Sequence, residues 1–298
     1  MVRLLSKFLM AGVACGSLFG APALGADAVP DFTGRWGRNA FNFEPIPGGP
    51  QPVINIKRRP DGTNDANALV GDYKNPILKP EAAEIVRKMG EISLTGDAFP
   101  DPSNQCAPYS PPFAFSMQLG LQMLQTKDHI TILYNQDDQV RRVRLNDKHP
   151  AKVIPSAMGD SIGHYEGDTL VVDTVGVTTG RLAMMDRYGT PRSEAMHIVE
   201  RYRLVEYEVA TSAAEKHQKE DGPAGLGGNV QVNRNYKGKG LQLIFTIEDP
   251  KYLTQPLTAQ ITYRRLMGPW REQICAENTF EYYSGKHTPV PTAEKADF

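Results

Sequence analysis

The stretch SIGHYEGDTLVVDTVG, residues 161–176, decides the fold. Two runs rich in β-branched and aromatic residues flank Glu166-Gly167-Asp168, which is the pattern of a tight β-hairpin whose glycine supplies a positive φ. Glu166 and Asp168 then sit at the shoulders of the turn, with Asp168 expected to bond to nearby backbone N–H groups. Along the second run Leu170, Val172 and Thr174 share one face, and Val171, Asp173 and Val175 share the other. Asp173 is thereby read as an acid among apolar neighbours in a strand interior, where it must be paired or carry a raised pKa.

Outward from this hairpin the period stays at two. In FAFSMQLGLQM the residues Phe113, Phe115, Met117, Leu119, Leu121 and Met123 alternate with small or polar ones, which predicts one long strand with a core-facing or cavity-facing side. HITILYN and QVRRVRL flank Gln136-Asp137-Asp138 as a second hairpin. VPDFTGRWGR reads as an earlier strand with Trp36 as an anchor, and further strands are expected at 196–205, 241–248, 257–266 and 271–282. Consecutive strands without helices between them predict an antiparallel meander, closed as a barrel or folded as a sandwich. Pro80 and Gly90 bracket one helix, from about Pro80 to Met89. Residues 208–240 are polar and glycine-rich and read as an inserted surface excursion, with at most a short helix near Ser212–Lys219 and a solvated His217.

The N-terminus has the order of a Sec-type signal peptide. Arg3 and Lys7 precede FLMAGVACGSLFG, and Ala26-Asp27-Ala28 offers an A-x-A cleavage site. Residues 1–28 are therefore expected to be removed, leaving 29–298 as one periplasmic or secreted domain with no membrane insertion afterwards. Cleavage leaves Cys106 and Cys275, which in an oxidising compartment are most simply a disulfide, the rival being a catalytic thiol at Cys275. Lys plus Arg (33) nearly balances Asp plus Glu (34), without a basic block carrying interleaved aromatics. Nucleic acid is thus a poor partner, and a neutral or mildly charged small molecule a better one.

PDFTGRW, CAPYSPP, His149-Pro150, GDSIGHYEGDTLVVDTVG, RYGTPRSEAMHIVERYR and the late CAENT together resemble a widespread group of exported bacterial proteins. Members of that group share a W-E-G-D-T-L-V-V-D-T, L-H-V-x-E-R-F and C-x-E-N pattern, and the resemblance covers most of residues 31–280. It implies a lipocalin-like (calycin-like) up-and-down β-barrel with one or two short helices. Tyr165 stands where the group usually has tryptophan. Asp160 and Arg192 stand where it often has histidine, which weakens a metal site built on those positions.

AMHIVERYRL, residues 195–204, carries the most chemistry. As a strand it turns Met196, Ile198, Glu200, Tyr202 and Leu204 one way, and His197, Val199, Arg201 and Arg203 the other. Glu200 on the apolar face either meets an arginine in a structural ion pair or lines a cavity as an acid or base. His197 and Glu200 diverge on a strand, so joint metal ligation is disfavoured. His149, in a loop after a strand, is a general acid/base candidate because imidazole titrates near neutral pH. Asp186 and Tyr188 lie in a long loop that could form a lid. The expected catalytic set is His149, His197, Glu200 and Asp186, and the expected substrate contacts are His164, Asp173, Tyr188, Arg201 and Tyr134. No nucleotide-binding, haem-attachment or zinc-protease motif is present in the sequence, so cofactor-free acid/base chemistry (lyase, isomerase or hydrolase) on a hydrophobic or aromatic small molecule is the first expectation. A periplasmic binding or carrier protein and a His/carboxylate metal enzyme are the alternatives.

Overall fold

A computed structural model describes residues 29–117, 120–222, 232–233, 235–268, 270, 275, 280–281 and 286–287. The expected signal segment, 1–28, lies outside the described residues. The chain builds β1 (Gly34–Gly37), β2 (Glu44–Pro45), α1 (Pro80–Leu94), β3 (Leu121–Gln125), β4 (His129–Tyr134), β5 (Gln139–Leu145), β6 (Asp160–Glu166), β7 (Thr169–Val175), β8 (His197–Val205), α2 (Tyr207–Asp221), β9 (Gly240–Glu248) and β10 (Leu257–Arg265), followed by the short β11 (Phe280–Glu281) and β12 (Lys286–His287).

Strands β3 to β10 pair in sequence order. β1 lies between β3 and β10, through Trp36↔Leu121 on one side and Trp36↔Arg265 on the other, and so closes a nine-strand barrel. β2 adds to the free edge of β10 beyond β1. The neighbours are antiparallel with one exception: β5 and β6 are parallel, in the register Val143↔Ser161, because the connection 146–159 carries the chain back along the barrel before β6 begins. The barrel is therefore mixed rather than a pure meander.

The alternation read from the central stretch matches the walls. Leu170, Val172 and Thr174 on β7, and Ile198, Glu200 and Tyr202 on β8, face the interior, together with Leu241, Leu243, Phe245 and Ile247 on β9. At the β6–β7 turn Gly167 has φ +61°, where a Cβ would be strained. Gly163 is small for another reason: a Cβ there would lie 2.9 Å from Val143 Cγ1, across the parallel seam.

Several expected elements change. Phe113–Ser116 is a 3-10 turn rather than the start of a long strand, and among the described residues the strand itself is Leu121–Gln125; Leu119, expected on its inward face, lies outside the described residues. Pro111 and Pro112 precede the turn and cannot donate to a ladder; Phe113, Ala114, Phe115 and Ser116 are all buried, so the apparent alternation marked a plug and not a pleat. Of the expected 271–282 strand, the described part is Cys275 and a two-residue ladder, Phe280–Glu281 on Lys286–His287. α1 runs on to Leu94, past Gly90, because that glycine packs against Val70 inside the helix instead of capping it.

The 208–240 stretch opens with a full helix, α2, laid against the outside of β9 and β10. His217 on that helix is 4 % exposed, not solvated: its Nε2 lies 2.9 Å from Glu44 Oε1. Glu44 also accepts from the Thr262 backbone N–H at 3.0 Å. Burial works to raise the pKa of Glu44, but the hydrogen bond from His217 and the nearby Arg38 charge bring it down to about 2. Helix, edge strand and barrel wall are thus tied by a buried ionised carboxylate. Among the described residues no helix is long and apolar enough to cross a membrane.

Candidate functional site

Inside the barrel the apolar lining is interrupted by one polar cluster. Glu200 (0 % exposed) receives both ends of the Arg141 guanidinium, Nη2 to Oε1 at 2.6 Å and Nη1 to Oε2 at 2.8 Å. The Tyr202 hydroxyl donates to Oε2 at 2.7 Å. Arg141 also donates to Thr174 Oγ1 at 2.6 Å and, through Nε, to Ser161 Oγ at 3.1 Å. The local cause is parity: Arg141 shares a face with Val143 and Leu145 on β5, so the strand that buries those side chains buries the arginine too. Burial alone would lower its pKa, yet Glu200 holds it well above the usual arginine value. Of the two readings of Glu200, the arginine ion pair is the one observed, with both carboxylate oxygens engaged by donors.

Tyr134 stands beside this pair. Its hydroxyl is buried and completes no hydrogen bond within 3.5 Å among the described residues, although the Arg141 guanidinium lies near enough to interact with it; burial pushes its pKa up to about 12 against the pull of Arg141. The expected substrate contact is thereby an unpartnered hydroxyl inside the barrel, next to a fixed ion pair.

A second cluster occupies the outer wall. His149 Nδ1 lies 2.6 Å from Asp160 Oδ2, and its Nε2 lies 2.9 Å from Asp173 Oδ1. The other oxygen of Asp173 is 2.9 Å from His197 Nε2. Arg144 Nη1 donates to Asp160 at 2.7 Å. An imidazole with both nitrogens on carboxylates donates twice, so this geometry belongs to the imidazolium form. Burial opposes that charge, but the hydrogen bonds and charges of Asp160 and Asp173 raise the pKa of His149 above 6.5. Arg144, and then His149, hold Asp160 below its ordinary value. Asp173, expected in an apolar strand interior, is instead 37 % exposed on the outside, because the face it shares with Val171 and Val175 is the outer one.

The remaining expected residues do not join either cluster. His164 and Arg201 both bind Glu166 at the exposed β6–β7 turn, at 3.1 Å and 2.6 Å. Asp168 accepts from the Thr169 hydroxyl at 3.0 Å, a side-chain contact rather than the expected backbone one. Asp186 is buried, and its Oδ1 accepts from the Tyr188 and Thr190 backbone N–H groups at 2.8 Å and 3.2 Å, as a turn residue does. Tyr188 is buried with its hydroxyl on Asn42 Oδ1, so this loop is part of the packed body and not a lid. Cys106 and Cys275 are bonded, which excludes a free thiol at Cys275.

Sequence reasoning missed Arg141, Ser161, Thr174, Tyr202 and Asp160. The parity of QVRRVRL could have found Arg141, since it is the arginine in step with Val143 and Leu145. Among the described residues no group of three or more His, Cys, Asp or Glu is placed to hold a metal ion. Compared with family models, with curated proteins and with solved structures, the chain finds no match.

Proposed function

We infer that the protein is an exported small-molecule-binding barrel, taking a hydrophobic, aromatic or terpenoid-like ligand that directs one hydroxyl or carbonyl at Tyr134. The observation that carries this reading is the Tyr134 hydroxyl, buried and unpartnered among apolar walls beside the Arg141–Glu200 pair. Ligand sites are mostly apolar with a few convergent polar groups, and a buried hydroxyl without a partner costs free energy that a ligand oxygen would relieve. The sequence pattern of residues 1–28 supports export.

The test is native mass spectrometry of the exported protein, with extraction of whatever it carries, followed by titration of the emptied protein with that compound. Tyr134→Phe should weaken binding roughly three- to tenfold, the worth of one hydrogen bond. A chain that carries nothing, and shows no saturable uptake of a panel of aromatic and terpenoid alcohols, overturns the reading.

The acid/base reading rests on a different observation, the two histidines joined through Asp173. In it the His149 imidazolium gives a proton and His197 accepts one, with chemistry on the outer wall. A ligand recovered altered after incubation, with turnover lost in both His149→Gln and His197→Gln, supports catalysis; intact recovery supports carriage.

A further inference from the structure

The connection 146–159, which carries the chain back along the barrel, is fastened to the wall at three points. At its start Arg144 donates to Asp147 at 2.5 Å and to the Lys148 carbonyl at 3.1 Å. At its end Ser156 bridges to Val177, with the Ser156 N–H on the Gly176 carbonyl at 3.0 Å. The third point is the His149 ring. From Pro150 to Pro155 no hydrogen bond or ion pair is present among the described residues, so that ring alone ties the middle of the connection by polar contact. Val153 rests on Gly176, and Ile154 is 82 % exposed.

The ring sits between carboxylates carried by two strands, Asp160 of β6 at 2.6 Å and Asp173 of β7 at 2.9 Å. Each carboxylate has a second donor. Asp160 receives Arg144 at 2.7 Å and 3.1 Å, and Asp173 receives His197 of β8 at 2.9 Å, whose other nitrogen lies 3.7 Å from Glu248 of β9. Asp147 and Lys148 flank the ring along the chain. The wall carboxylates therefore keep their places without His149, whereas the connection does not. A neutral imidazole has one N–H, so loss of a proton turns a ring lone pair toward a carboxylate at 2.6 or 2.9 Å, and a contact that held the segment repels it. Burial works against the ring's charge, but the two carboxylates outweigh it, while Arg144 keeps Asp160 ionised. The Arg144 clasp and the Ser156 bridge hold no group that titrates near neutral pH, so they remain as two hinges.

We propose that residues 149–155 form a pH-operated latch: the protonated His149 ring pins the segment across β6 and β7, and loss of its proton sets the segment loose while the barrel stays closed. Opening lifts the ring from Asp173 and uncovers the Asp173–His197 pair on the outer wall. The latch rests on neither functional reading and needs no ligand at Tyr134.

The test is methyl NMR relaxation of Val153 and Ile154 in the exported protein from about pH 5 to pH 9, with the ring 15N shifts of His149 and His197 followed in the same samples. Both methyl groups should gain mobility with the midpoint of the His149 ring, the ratio of pinned to loose segment falling up to about tenfold per pH unit above it. The methyl groups of Ile132, Ile198 and Ile247, buried in the barrel, should not change. His149→Gln should leave the segment mobile at every pH; if that variant does not fold, the match between ring and methyl midpoints in the wild type decides. Mobility that is constant across the range, that follows His197 instead, that still titrates in His149→Gln, or that rises together with the barrel methyl groups overturns the latch.

Discussion

At the scale of single residues the barrel interior is decided by Arg141 and Glu200. A buried pair of this kind adds little against a well-packed apolar isostere, but breaking it is expensive because the survivor keeps an uncompensated charge. Glu200→Gln should therefore cost about 3–5 kcal/mol in urea unfolding, and the joint Arg141→Met, Glu200→Met change should recover most of it. A loss below ~1 kcal/mol in the single variant would mean that water reaches the pair. The sequence shows why Glu200 points inward, since it keeps step with Ile198 and Tyr202. Parity narrows the partner to Arg141, the arginine of its strand in step with Val143 and Leu145, but that β5 faces β8 across the barrel interior is not written in either strand. Tyr134 is legible only as the last apolar position of its strand; its place beside the Arg141–Glu200 pair depends on how β4, β5 and β8 come together.

At the scale of elements, the His149–Asp173–His197 chain straps the loop after β5 to β6, β7 and β8. The two signs of titration bound its working range. His149 has a folded pKa raised above 6.5, so its contribution is complete below about that value and is lost as pH rises through the raised one. Asp160 has a folded pKa held below 3.8, so its contribution is present above that value and is lost as pH falls through the lowered one. The Tm difference between wild type and His149→Gln should consequently be largest between about pH 4 and pH 6.5 and shrink in alkali. A difference that grows toward pH 9 would contradict the imidazolium. The hairpins β4–β5 and β6–β7 were readable from alternation and turn residues alone, and so were the two faces of β7. Which face of β7 is inner was not, because Val171 and Val175 are as apolar as Leu170 and Val172; the barrel's curvature decides it. α2 shows the same limit, with His217 buried only because Glu44 and Thr262 happen to lie beneath it.

At the scale of the whole molecule, Cys106 and Cys275 close a loop of 169 residues that contains most of the barrel. Removing that cross-link frees a long unfolded chain, so the Cys106→Ala, Cys275→Ala double variant should lose about 2–5 kcal/mol, measured as a lower urea midpoint with a steeper slope because the unfolded chain exposes more surface. An unchanged midpoint and slope would show that the cross-link does not restrict the unfolded chain. The parallel seam between β5 and β6 has a further consequence, for assembly rather than stability. It divides the wall into two runs of local hairpins, β3 to β5 and β6 to β10, each able to zip up by neighbour pairing. They can meet only when the 146–159 connection has doubled back and when Trp36, near the start of the described chain, has found Arg265 near its end. Loop-closure entropy falls on those two joins, so the late, slow event in refolding should be the docking of two preformed half-cylinders.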